Sequence, residues 1–225
     1  MKNVLARGGI EFLAVLLGIS GSLWLDDRST LTQERKHELE AYQRLSNSLT
    51  LDMQGLKEDA KKNERMIYVL GLMINNLDDI SDDSLLHYID ITQSYTDMET
   101  HVSDYETLKN TGRLYSIKDM DMLQRIIDMY DKKYGEINDW KAEDKRAIFM
   151  QDEFFIKNYA MQPAENWTTL RNISKDKQRL VNDDTYRNYL IFLYQVKNRM
   201  NVEWNKLIID IQNLDTDISK QINDL

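Results

Sequence analysis

The apolar residues divide the chain into an N-terminal apolar stretch and three long segments with a seven-residue repeat. From Gly8 to Leu25 the only charged residue is Glu11. After Arg28, apolar residues recur at alternating spacings of three and four, the pattern of helices that pack along a seam. The pattern predicts an all-α protein: a single N-terminal transmembrane helix, then an elongated antiparallel bundle of three long helices with two short helices at the tip.

Each long segment has its own seam of heptad positions. The first combines two series, Tyr42, Leu49, Leu56, Asn63, Leu70, Leu77 and Leu39, Ser46, Met53, Ala60, Ile67, Ile74. The second contains Met120, Leu123, Ile127, Tyr130, Tyr134, Ile137, Ile148 and Phe155, with polar Lys141 and Asp144 between them. The third contains Tyr186, Leu190, Leu193, Met200, Trp204, Leu207, Ile211, Leu214, Ile218 and Leu225. A buried Asn63 would fix the register, but we expect it at an exposed margin.

Turn and capping residues predict where these segments end. Short helices are expected over about 83–95 and 104–111, with Gly112 ending the second as a left-handed residue after a helix. Pro163 predicts a helix stop near 159–161. Residues 162–181 are expected to be irregular, and the aspartates that follow cap the third segment.

Composition narrows the class further. The chain has 8 Gly, 1 Pro and no Cys, too few turn residues for an all-β sandwich or barrel. Without cysteine there can be no disulfide scaffold, zinc ribbon or thiol catalysis. The formal net charge of −9 makes nucleic acid an improbable partner.

The apolar stretch predicts a membrane anchor. Residues 4–25 are long enough, as a helix, to cross about 30 Å of hydrocarbon. Lys2 and Arg7 precede the stretch and Asp26 and Asp27 follow it, so the positive-inside rule places the N-terminus in the cytoplasm. We therefore divide the chain into a cytoplasmic stub with transmembrane helix, residues 1–28, and an extracytoplasmic bundle domain, residues 29–225.

A cleavable signal peptide is the alternative reading of the same residues. Lys2 and Arg7 would form its basic region, and Ser20, Gly21 and Ser22 would supply small residues for a cleavage site. The apolar run is also short, as in a signal peptide, but the uncleaved anchor is our preferred interpretation.

The anchor has two features beyond its hydrophobicity, a face of small residues and an ionisable side chain. Ala14, Gly18 and Ser22 recur every four residues, with Gly21 beside them, and such small residues let two membrane helices approach closely. Glu11 falls on about the same face. An ionisable residue in a span is a functional candidate, but near the cytoplasmic end it can also reach the interface without any role.

A search for chemical motifs finds no catalytic signature. The sequence lacks a phosphate-binding glycine loop, a nucleophile elbow and a His-Glu-x-x-His pair. Glu34 and His37 match half of a di-iron motif without the other half. The aspartates at 78–83 lack the glycine and glutamate of a calcium-binding loop. We predict neither a cofactor nor a metal site.

Three stretches, taken in order, resemble an uncharacterised bacterial membrane-anchored family, domain of unknown function 6090. They are Gly9–Ile19 in the anchor, Tyr105–Leu114 with its Thr-Gly turn, and Leu123–Tyr130 with its Leu-to-Tyr spacing. The sequence departs from the family at Leu25–Arg28, where Asn-Asn-Trp is usual. The resemblance implies a bacterial inner-membrane protein with a periplasmic helical domain, and it implies no activity.

The leading functional hypothesis is a non-enzymatic membrane-anchored scaffold or sensor. Its expected partners are the lipid bilayer, further copies of itself and a periplasmic protein, but not nucleic acid. The alternative is a homo-oligomeric ion-conducting or force-coupling assembly with Glu11 at the pore. A metal-dependent enzyme that uses the carboxylate-rich loops is a distant third.

Overall fold

A computed structural model describes the backbone of residues 2–95, 99–163 and 168–225, with their side chains except those of 2–14 and 27. This part of the chain is mainly helical, which confirms the all-α class. Its helices are α1 Lys2–Asn76, α2 Asp82–Thr92, α3 Ser103–Asn110, α4 Met120–Ile127, α5 Tyr134–Asn158, α6 Ile173–Val181 and α7 Asp184–Asp224. A 3-10 turn, Arg113–Ser116, precedes α4, a π-helical turn, Asp128–Lys133, joins α4 to α5, and strands β1 Met161–Pro163 and β2 Thr168–Leu170 pair antiparallel.

Helix α1 is 75 residues long, about 110 Å from end to end. The side chains described between residues 15 and 37 are exposed; contact with the rest of the chain begins at Glu34, and the first buried side chain is that of Glu38. No proline interrupts α1, so the helix continues past the predicted boundary between residues 28 and 29. The N-terminal stretch and the bundle therefore share one rod.

The described residues between α1 and α4, 77–95 and 99–119, run back along α1, and we call them the return segment. An Arg65 nitrogen of α1 lies 3.2 Å from His87 Nε2 near its start, and Glu38 accepts a bond from the Lys118 N–H at 2.8 Å near its end. The two short helices α2 and α3 thus lie beside α1. Helix α2 lies beside the last turns of α1, near the tip, but Asp104 of α3 contacts Arg44 and Ser48, far below it. The prediction that both short helices sit at the tip is therefore wrong for α3.

The return segment determines the direction of the helices that follow it. Helix α4 starts level with Glu38, and α4 and α5 rise parallel to α1, so that Tyr134 at the start of α5 reaches Asp52. Helix α7 descends, since Ser46 contacts Asp215 and Asn63 contacts residue 197. The prediction of successive antiparallel long helices assumed a short first connection. The return segment brings the chain back to its starting level before α4 begins.

In α1 one predicted seam series is correct and the other is displaced by one residue. Tyr42, Leu49, Leu56 and Leu70 are buried as expected. The partner positions are mainly Leu45, Asp52, Asp59, Met66 and Met73, although Ala60 of the predicted series is buried too. Asn63 is fully buried, so its expected position at an exposed margin is wrong. Carboxylates are tolerated on this seam because neighbouring side chains hydrogen-bond them.

Several helices begin or end where the local sequence signals predict. Helix α5 stops at Asn158, ahead of Pro163, and Gly112 has a φ of 72° in the left-handed region. Asp183 caps α7 by accepting bonds from the N–H groups of residues 185 and 186. The expected irregular stretch 162–181 instead holds β2 and α6, whose first turn is capped by Asn172.

Candidate functional site

The exposed N-terminal part of α1 is the most unusual surface of the described chain. Its large apolar side chains between residues 15 and 25 touch no other element and are about half or more exposed. They are Val15, Leu16, Leu17, Ile19, Leu23, Trp24 and Leu25. Contiguous apolar surface of this kind marks contact with a membrane or another protein.

The small residues predicted for helix association lie within this surface. A Cβ added at Gly18 or Gly21 would meet no atom within 4 Å. The Ser22 hydroxyl donates to the Ile19 carbonyl at 2.9 Å, within the helix itself. The side chains of Ala14 and Glu11 lie outside the described residues. The described part of the small-residue face is therefore unoccupied within this chain.

The apolar stretch ends in an aromatic and basic pair. The Arg28 guanidinium lies 5.2 Å from the centre of the Trp24 ring, an arrangement suited to a membrane interface. Among the described residues, no helix is long and apolar enough to cross a bilayer. Because the side chains of residues 2–14 are not described, the membrane anchor stays a prediction.

A buried carboxylate holds the return segment against α1. Asp52 is completely buried and accepts bonds from the His101 N–H at 2.7 Å and from the Tyr134 hydroxyl at 2.5 Å. The His101 ring also meets Asp52 through Nδ1, at 2.8 Å. The described chain gives the His101 ring no other polar partner, so the geometry suits a clamp rather than a nucleophile–base pair.

Stacked tyrosines surround this clamp at the π-helical turn. Tyr105 and Tyr130 stack with ring centres 4.5 Å apart, and Tyr134 meets Tyr130 edge-on at 5.1 Å. Burial raises the pKa of Tyr134 above its usual range, and the Asp52 charge raises it further. The Tyr134 hydroxyl therefore stays protonated and donates to the carboxylate. Burial similarly raises the pKa of Tyr130.

A second polar layer crosses the bundle further up. Lys197 of α7 is fully buried, and its Nζ lies 2.8 Å from the equally buried carboxylate of Asp144 on α5. The Asn63 amide of α1 donates to the Lys197 carbonyl at 2.8 Å. Burial lowers the pKa of Lys197, while Asp144 acts in the opposite direction. Helices α1, α5 and α7 are thereby held in one register.

These two layers were missed by sequence reasoning for different reasons. Asp52 lies next to the apolar Met53, which was placed on the seam instead. Lys197 fills the gap in the third seam between Leu193 and Met200, and that empty heptad position was the available signal. Asp144 was on the predicted seam, but only its partner explains why it can be buried.

The weak metal-ligand patterns do not converge. Glu34 pairs with Lys118 at 3.0 Å, and His37 accepts from Arg113 at 2.8 Å. In the part of the chain that the structure describes, no three histidine or carboxylate side chains lie close enough to share an ion. Both residues therefore attach the return segment to α1.

Comparison of the chain with models of protein families, with curated proteins and with solved structures finds no match in any of the three. The resemblance to a bacterial membrane-anchored family thus stays a prediction from the sequence.

Proposed function

We propose that this protein is a non-enzymatic scaffold or sensor anchored in the bacterial inner membrane by the N-terminal part of α1. The N-terminus lies in the cytoplasm and the bundle of long helices lies in the periplasm. The observation that supports this most is the unbroken helix from Lys2 to Asn76, whose apolar side chains around residues 15–25 are exposed. A lipid environment would cover them.

The continuous α1 gives the anchor a mechanical role. Since the helix passes from the apolar stretch into the bundle without a linker, a rotation or tilt of one part moves the other. The register layers at Asp52 and Lys197 hold the rest of the bundle against α1. Such a rod can report a binding event on the bundle to the membrane helix, or hold a partner at a fixed height.

The bundle carries the whole negative charge of the chain. The three basic and three acidic residues within 1–28 cancel, which leaves the net −9 to residues 29–225. A long acidic surface favours a periplasmic partner with a basic face, because complementary charge accelerates association.

Self-association would use the face formed by Ala14, Gly18, Gly21 and Ser22. The chain has no cysteine, so a single Ser22→Cys variant can be oxidised in isolated membranes to test this face. Ser20→Cys is the matched control, since two residues rotate a helix by about 200°. We expect a disulfide-linked dimer from Ser22→Cys only. Equal crosslinking of the two variants, or none from either, contradicts association through this face.

A further inference from the structure

The bundle ends close to the exposed part of α1, in a surface that we call the base, residues 113–120. The base is fixed to α1, because the Lys118 ammonium lies 3.0 Å from Glu34 and the Lys118 N–H donates to Glu38. Helix α7 also ends here, where Gln221 donates to Asp119 at 3.2 Å. Helix α7 continues past Gln221 to Asp224, so its last turn lies at the same end of the bundle as the base.

The base exposes apolar side chains that its core does not use. Tyr115 is 63% exposed and Met120 is 69% exposed, although their neighbours Leu114 and Ile117 are buried. Leu31, just below on α1, is 56% exposed. Three exposed large apolar side chains therefore lie at the end of the bundle that is nearer to the predicted membrane span.

The unbroken helix fixes how far this surface stands from the span. Nine residues separate Leu25 from Glu34, which is about 14 Å along an α-helix. The headgroup layer occupies roughly 5 to 8 Å of that distance. A tilt of about 20°, which is usual for transmembrane helices, lowers one side of the base by several ångströms more. The few ångströms that remain are within the length of the exposed Tyr115 and Met120 side chains, so these side chains can reach the headgroups without any bend in α1.

We propose that the base is a second lipid contact, in which Tyr115, Met120 and Leu31 enter the headgroup layer of the periplasmic leaflet. Aromatic and flexible apolar side chains favour this layer, and the surface is continuous with the anchor through α1. The contact sets the tilt of the bundle on the membrane. This inference rests on the proposed anchor, since a chain without a span has no fixed height above a bilayer.

Depth-dependent fluorescence quenching tests the contact. The full chain lacks cysteine, so Met120→Cys can be labelled alone with an environment-sensitive fluorophore and reconstituted into phosphatidylcholine vesicles. Tyr68→Cys is the matched control, because Tyr68 is 68% exposed and lies about 50 Å further along α1 than Glu34. Leu23→Cys reports the anchor itself.

We expect headgroup spin labels to quench the fluorophore at Met120 at least twofold more than at Tyr68, and acyl-chain spin labels to quench it at Leu23. If Leu23 is quenched while Met120 behaves like Tyr68, the lipid contact is refuted and the anchor stands. If Leu23 is not quenched either, the anchor fails as well. Quenching at Met120 that varies with protein density rather than with spin label indicates contact between copies and also refutes the proposal.

Discussion

The buried pair between α5 and α7 offers the sharpest test of how the bundle is held together. Lys197 and Asp144 have side chains that are 0% and 1% exposed, and the two charged groups lie 2.8 Å apart. The substitution Asp144→Asn keeps the shape of the side chain and removes its charge. The ammonium of Lys197 then remains in the core without its counter-charge.

The burial of both groups sets the magnitude. Breaking a buried ion pair by removing one partner destabilises a protein by about 3 to 5 kcal/mol. The exposed pair of Glu153 and Lys157, at 2.6 Å with side chains 63% and 67% exposed, provides the matched control. Glu153→Gln is also an acid-to-amide change, and we expect it to cost less than about 1 kcal/mol.

Urea denaturation of the full chain in a neutral detergent measures both effects, with the fully buried Trp204 as the fluorescent reporter. With a slope of about 2 to 3 kcal/mol per molar urea, Asp144→Asn should lower the midpoint by roughly 1 to 2 M. The double variant Asp144→Leu/Lys197→Met should recover most or all of the loss, because apolar pairs can replace buried ion pairs.

The pH dependence follows from the buried lysine. A lysine whose pKa is lowered in the folded state binds fewer protons there than in the unfolded chain, so unfolding becomes less favourable as the pH rises towards the usual lysine value. Without the Asp144 charge, which raises the pKa of Lys197, this gain in stability with pH is larger in Asp144→Asn than in the unmodified chain. The stability that Asp144→Asn loses should therefore be smaller at about pH 9.5 than at about pH 7. A variant as stable as Glu153→Gln at both pH values would refute the reasoning about the buried pair.

Three further changes probe the clamp, the tyrosines and the turns. Tyr134→Phe removes a hydrogen bond to a buried carboxylate and should cost about 1.5 to 3 kcal/mol of stability. Tyr130→Phe removes a hydroxyl that has no hydrogen-bond partner among the described residues, so it should be nearly neutral in the same urea titration. Equal losses for the two variants would contradict the clamp. Burial raises the pKa of both tyrosines above 10.0, so their contribution to stability is complete below that value and should fall above it by up to about 1.4 kcal/mol per pH unit for each. Circular dichroism should therefore show alkaline unfolding, and tyrosinate absorbance that accounts for all 12 tyrosines before any unfolding would contradict it. Gly112→Ala, at a φ of 72°, should lower the free energy of unfolding by about 1 to 2 kcal/mol. Gly55→Ala, in the exposed middle of α1, should raise the free energy of unfolding by up to about 1 kcal/mol. A lower thermal midpoint for Gly55→Ala, or a higher one for Gly112→Ala, would contradict these backbone assignments.

Periodicity predicted α7 with the least ambiguity, since every predicted seam residue there except Leu225 is buried. In the second segment it predicted neither the π-helical turn between α4 and α5 nor the exposure of Met120. It could not predict charged residues on a seam. Lys197 is acceptable there only because Asp144, 53 positions away in the sequence, lies opposite it. Hydropathy treats each residue separately and carries no information about such a partner.

The arrangement of the helices in the bundle could not be predicted from the sequence, for a related reason. Residues 77–119 contain turn signals and short helices, which local patterns identified, but their position along α1 depends on distant contacts. His101 meets Asp52 across 49 positions, and Lys118 meets Glu38 across 80. The prediction of a tip assumed that short connections dominate. Here the first connection, the return segment, itself packs along α1 as part of the bundle.

The side on which the bundle lies tests the central claim most directly. In spheroplasts, a membrane-impermeant maleimide should label Tyr68→Cys, an exposed position on α1, without lysis. It should label Asn3→Cys only after the membrane is opened, and both variants should sediment with the membrane fraction. Protection of Tyr68→Cys in intact spheroplasts, or recovery of either variant in the soluble fraction, would contradict an anchored protein with its bundle in the periplasm.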